Sequence, residues 1–65
     1  MIVEYKITEI ISEKVLLHGS KYNFLEVTGN SKYKNKDYKF NKIIDDITWN
    51  EIKEKGYYLQ GEPIQ

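Results

Sequence analysis

One window of this 65-residue chain has the punctuation of a helix, and it is too short to stand by itself. It runs from Asp46 to Leu59. Thr48 followed three residues later by Glu51 has capping-box spacing, with Ile47 before the cap and Ile52 placed for a hydrophobic staple. Asp45 and Asp46 lie at the positive end of the helix dipole, Lys53 and Lys55 near the negative end. Glu51 and Lys55 are four apart, acid first, and Gly56 supplies a left-handed stop. The expectation is a helix of about two turns over 48–55. Such a helix is marginal in water, so Trp49 and Ile52, three apart on one face, must pack on a sheet made by the rest of the chain.

The remaining sequence reads as strand. It has no Ala, nine Ile and six Tyr, a bias toward β-branched and aromatic residues. Val3, Tyr5 and Ile7 alternate with Glu4, Lys6 and Thr8, so a first strand is expected over Ile2–Ile11, with a bulge or change of face where Ile10-Ile11 breaks the alternation. Ser12-Glu13-Lys14 reads as a turn, Val15–His18 as a second strand, and Gly19-Ser20-Lys21 as another turn. A third strand follows over Tyr22–Thr28, with Tyr22 and Phe24 on one face and Leu25 and Val27 on the other. Gly29-Asn30-Ser31 reads as a turn or the start of a loop. Residues 29–37 are then either one mobile tip or a strand extension through Lys32–Lys34 with a turn at Asn35-Lys36-Asp37. A fourth strand starts at Tyr38, and Tyr57–Gln60 closes the chain after the helix.

The expected order is therefore β-β-β-β-α-β: a mostly β domain over residues 1–60, built as a small, strongly bent antiparallel sheet or an SH3-like barrel closed by one short helix. Residues 61–65 are expected to form a frayed tail. A chain of this size buries only about 60% of its unfolded surface, and with no Cys it has neither disulfides nor thiolate metal sites to help.

Composition narrows the function classes. One His, no Cys, no Arg and three Ser, all in expected turns, leave no catalytic set, and neither the phosphate-loop nor the dinucleotide glycine pattern occurs. His18 reads as a sheet-surface residue. Asp45-Asp46 lacks the spaced oxygen ligands of a calcium loop. No catalytic activity, cofactor or metal is expected. The N-terminal segment carries an acid among its first residues and no long apolar run, unlike a signal peptide, and no stretch reaches transmembrane length. The expected location is cytoplasmic.

The ten Lys and ten acidic residues cancel but are unevenly spread. Residues 31–42 carry net +4, residues 43–65 net −3. In the first stretch Lys32, Tyr33, Lys34, Lys36, Tyr38, Lys39 and Lys42 interleave charge with rings, as single-strand nucleic-acid binders do. All cations being Lys disfavours bidentate guanine reading. In the second, Asp45, Asp46, Glu54, Tyr57 and Tyr58 form an acidic, aromatic face suited to a protein partner.

The leading expectation is a non-catalytic protein-binding module whose partner is a host protein that it binds and inhibits. The Cys-free, AT-rich style suits an accessory protein of a phage or mobile element. The alternative is single-stranded DNA or RNA binding through 32–42, and edge-strand pairing into a homodimer suits either.

Overall fold

The computed structural model describes residues 1–63; of the expected tail, Ile64 and Gln65 lie outside the described residues. The chain is a strongly bent antiparallel sheet of four strands with one helix across its concave face. The elements are β1 (Ile2–His18), β2 (Asn23–Tyr33), β3 (Lys36–Asp45), α1 (Asp46–Lys55) and β4 (Tyr57–Gly61). The sheet order is β3-β2-β1-β4, and it does not close into a barrel.

The first two expected strands are one. Ser12-Glu13-Lys14 is not a turn: these residues pair with Thr28, Val27 and Glu26. Their polarity has a different cause. Ser12 and Lys14 point to the convex, solvent face, where Ser12 Oγ shares a hydrogen bond with Thr28 Oγ1. Glu13 points to the concave face, where it meets the helix. The parity break at Ile10-Ile11 is a bulge, one of three register shifts along β1, between Ile7 and Glu9, Ile10 and Ser12, and Val15 and Leu17. Each bulge adds twist, and together they bend a 17-residue strand enough to curl the sheet.

Gly29-Asn30-Ser31 is also strand, opposite Phe40, Lys39 and Tyr38. Glycine in mid-strand costs packing and entropy, but here nothing larger fits. A Cβ on Gly29 would collide with the Glu9 carbonyl oxygen and stand 2.6 Å from Phe40 Cζ. The turn falls instead at Lys34-Asn35, with φ of 50° and 63°. Two successive left-handed residues make the type I′ geometry that matches strand twist, which Asn tolerates well. Of the two readings of 29–37, the extended hairpin holds, with its turn one residue earlier than the sequence suggests.

The helix begins earlier as well. Asp45 is its N-cap: its Oδ2 accepts from Thr48 N at 2.9 Å and from Thr48 Oγ1 at 3.0 Å, so Thr48 is the third helical residue and its hydroxyl donates to the cap. Asp caps as well as Thr, and Ile44 is still paired with Leu25 in the sheet, so strand passes to helix with no loop. With the cap at Asp45 the staple positions become Ile44 and Trp49; Ile47 is 53% exposed. Gly56 ends the helix at φ 87°, its N–H donating to Ile52 O at 2.8 Å.

The core is aromatic and lies on the concave face. Tyr5, Val27, Phe40, Trp49 and Tyr58 are buried, flanked by Val3, Ile7, Leu25, Tyr33, Tyr38, Ile44 and Ile52. The Tyr5 ring lies 5.2 Å from Tyr58, stacked, 5.4 Å from Tyr33 and 5.5 Å from Tyr38. Burial pushes the Tyr5 and Tyr58 phenols above their ordinary pKa, so both stay neutral donors. Tyr5 OH donates to Gly61 O at 3.1 Å. Tyr58 OH and Ser31 Oγ, 2.8 Å apart, are the polar pair inside the core; they tie β2 to β4 across β1.

Two outcomes are expected. Gly29→Ala, read by urea unfolding, loses about 1–3 kcal/mol by overpacking. Ser31→Ala and Tyr58→Phe each strand a buried hydroxyl at about 1–3 kcal/mol, whereas the double variant costs clearly less than the sum of the two. A strictly additive pair would show that the hydroxyls do not bond.

Candidate protein-docking surface

Only part of β1 has neighbours on both sides. β4 pairs with Ile2–Lys6 alone, and Ile7 N donates to Gly56 O at 2.9 Å. From Thr8 onward β1 is bonded to β2 on one side, and its other edge meets no strand among the described residues. The β1–β2 hairpin projects past the helix, giving the molecule a long axis of 38 Å against 23 and 22 Å.

Every residue from Thr8 to Tyr22 is exposed. Five of them are aliphatic: Ile10, Ile11, Val15, Leu16 and Leu17, with exposures from 39% to 61%. Phe24, paired with Leu17 on the convex face, is 37% exposed, and its ring packs edge-on against Tyr22 at 5.8 Å. The total accessible surface is 4982 Å², whereas a compact monomer of 7.8 kDa exposes about 4,400 Å². The excess, about 600 Å², is smaller than one partner's share of a standard interface, about 800 Å².

One side chain of this hairpin bonds the helix twice, in addition to the Asn23 N–H that meets Asp46 in its first turn. Glu13 Oε1 accepts from Trp49 Nε1 at 2.5 Å and from Lys53 Nζ at 3.1 Å. The indole N–H, the only polar atom on a fully buried Trp, is thereby satisfied. The hydrogen bond from Trp49, then that from Lys53, hold the Glu13 carboxyl below its ordinary value. Thr48 does the same for Asp45 through its backbone N–H and hydroxyl.

The lysine–tyrosine stretch is divided by strand alternation. Lys32 and Lys39 face the convex side with Asn30, and Lys32 stands 3.7 Å from Asp37. Tyr33, Lys36, Tyr38 and Lys42 face the concave side, and Lys34 sits in the turn over the Tyr33 ring at 5.4 Å. Tyr33 and Tyr38 are half-buried against Tyr5 and, with Lys34, Lys36, Glu62 and Pro63, border a hollow of about 100 Å³. Lys42 is half-buried: its Nζ donates to Gln60 Oε1 at 2.7 Å and lies 4.4 Å from the Tyr58 ring centroid.

The acidic, aromatic set is likewise dispersed. Asp45 is the helix cap, and Asp46 Oδ2 accepts from Asn23 N at 3.3 Å. Tyr58 is core; Tyr57, opposite Lys6, is half-buried on the convex face. Glu54 is exposed on the helix. His18 is exposed at the hairpin end, opposite Asn23.

Sequence reasoning assigned Ile10, Ile11, Val15, Leu16 and Leu17 to strands without marking them as a surface. The available signal was adjacency: Ile10-Ile11 and Leu16-Leu17 put apolar groups on both sides of a strand, and one short helix covers only one side. Among the described residues no group of three or more His, Cys, Asp or Glu is placed to hold a metal, and no helix is long and apolar enough to cross a membrane. No protein-family model matches the chain, and neither a curated protein nor a solved structure is found similar to it.

The Glu13 anchor has a pH signature. Its folded pKa is depressed, so its contribution is full above the unfolded value near 4.5 and is lost as pH falls through the lower folded value. Trp49 is the only Trp, so its fluorescence reports the site directly. Glu13→Gln is expected to flatten the acid limb of the unfolding midpoint below about pH 4.5; an unchanged limb would assign that limb to other carboxylates.

Proposed function

We propose that this chain is a non-catalytic protein-binding module and that its contact surface is the projecting β1–β2 hairpin. The observation that carries the reading is the exposed aliphatic run from Ile10 to Leu17. The register sets Ile10 and Val15 toward the concave face and Leu17 toward the convex face, so the run offers apolar side chains on both sides of one edge strand, and exposed apolar surface of this kind marks interaction sites. The polar residues around it, Glu9, Ser12, Lys14 and His18, supply the rim that a non-obligate interface has. A host protein blocked by this small accessory chain fits the surface, as does a second copy pairing hairpin to hairpin.

Single-strand binding through 32–42 draws less support. Its lysines point to two faces and its two rings pack against Tyr5, one tilted and one edge-on, whereas a nucleic-acid track needs lysines and free rings on one side.

The test uses Leu16→Asp with Leu17→Asp, two exposed positions whose change costs little folding stability. The wild-type chain on beads is expected to retain a specific protein from a low-GC bacterial lysate, and the double variant to lose it, with the two melting within a few degrees of each other. Sedimentation of the free chain separates self-association from a foreign partner. A monomer at every concentration, with no protein retained in a Leu16- and Leu17-dependent way, would overturn the reading.

A further inference from the structure

The sheet has two margins, β3 and β4, and its curvature brings them toward each other. The Phe40 and Tyr58 rings meet at 5.4 Å, and Lys42 reaches across to Gln60. The bridge is made by side chains alone: among the described residues no ladder joins β3 to β4. Between them runs an open groove of about 450 Å³, lined by Tyr38, Phe40, Lys42, Tyr58, Gln60 and Pro63 among others. Each margin presents a row of backbone N–H and C=O groups without a strand partner, the condition for adding a strand.

Lys42 is the unusual side chain in this groove. It is half-buried, and burial lowers its pKa. The described residues give its ammonium no carboxylate, only the Gln60 amide oxygen and a ring face. A desolvated cation with neutral partners is the arrangement that gains most from an added anion.

We propose that the β3–β4 seam binds an extended peptide, which pairs with β3 as an added strand and sets an Asp or Glu side chain opposite Lys42. Cross-strand neighbours stand about 5 Å apart at Cβ, so a carboxylate there reaches Nζ and displaces Gln60. Glu62 lies two residues beyond Gln60 and also borders the groove; the peptide position facing it excludes a second acid. That feature favours a peptide over a nucleic acid, whose phosphates repeat without a gap. The apolar walls take the alternate side chains of a strand. The site shares no residue with the projecting segment Thr8–Tyr22 and stands without it.

The experiment is selection of the folded chain against a displayed random heptapeptide library, followed by amide-shift mapping of the selected peptides. Expected are peptides with one acid at a fixed position among alternating β-branched or aromatic residues. They shift the amides of Lys39–Lys42 and of Leu59–Gly61. Lys42→Met, which keeps the aliphatic stem, weakens them at least about tenfold, and Lys32→Met, on the convex face and outside the groove lining, leaves affinity unchanged. No selected peptide, peptides without an acid, or equal binding by Lys42→Met would overturn the proposal. Peptides that shift Glu9–Leu17 instead would overturn it while supporting the hairpin reading. A mixed-sequence oligonucleotide shifting the Lys39–Lys42 amides more strongly than any peptide would overturn it in favour of nucleic acid.

Discussion

One ten-residue helix has to cover a sheet whose longest strand has seventeen residues, and that shortage shapes the molecule. Trp49 is the only helical side chain fully buried. It fills the concave face near Val27 and Phe40, and its indole N–H reaches Glu13. Beyond that point the helix supplies nothing large. The near end of the concave face is closed by the sheet's own aromatics: Tyr33, Tyr38 and Tyr58 all pack against Tyr5 as the strands curl. The far end, the β1–β2 hairpin, is closed by nothing in the described chain.

The curl itself follows from β1. A flat sheet of this width could not bring Phe40 on one margin against Tyr58 on the other. Three bulges on one strand supply the twist, and Gly29 lets Phe40 lie flat on the β2 backbone. The polar pair Ser31 and Tyr58 then fixes how far the curl goes, because both hydroxyls are buried and each depends on the other. Curling stops short of closure because four strands are too few: barrels small enough to be filled by side chains usually have more. The gap is bridged by Lys42 and Gln60 rather than by backbone.

Much of this was legible from residue order. The β-rich class, the single short helix, the stop at Gly56, the bulge near Ile10-Ile11 and the opposed faces of Phe24 and Leu25 all follow from local periodicity and punctuation. What was hidden depends on contacts distant in sequence. Ser12-Glu13-Lys14 has turn composition, and its pairing with Glu26–Thr28 makes it strand, with the polarity of Glu13 explained by a partner thirty-six residues away. Gly29-Asn30-Ser31 looks like a break until the Phe40 ring is placed over it. The capping residue is Asp45 rather than Thr48 because both residue types cap a helix, and the end of β3 decides between them. The lysine–tyrosine and acidic–aromatic stretches look like patches when read along the chain. Strand alternation and the helix cap distribute them over two faces and the core.

The same shortage of covering elements accounts for both surfaces proposed for binding, and it makes them different in kind. The hairpin offers aliphatic side chains on an edge kinked by bulges. Bulges protect edges from indiscriminate strand pairing, so its affinity must come from side-chain burial, on a broad and permissive surface. The seam offers straight backbone edges, ring walls and a lone ammonium. Its contribution there is register and charge, with less area to bury. A partner engaging both would gain adhesion from one and specificity from the other. Neither demands an arrangement that the fold must form anew, because the bulges of β1 hold the hairpin out, and the Lys42–Gln60 bridge holds the seam one strand short of closure.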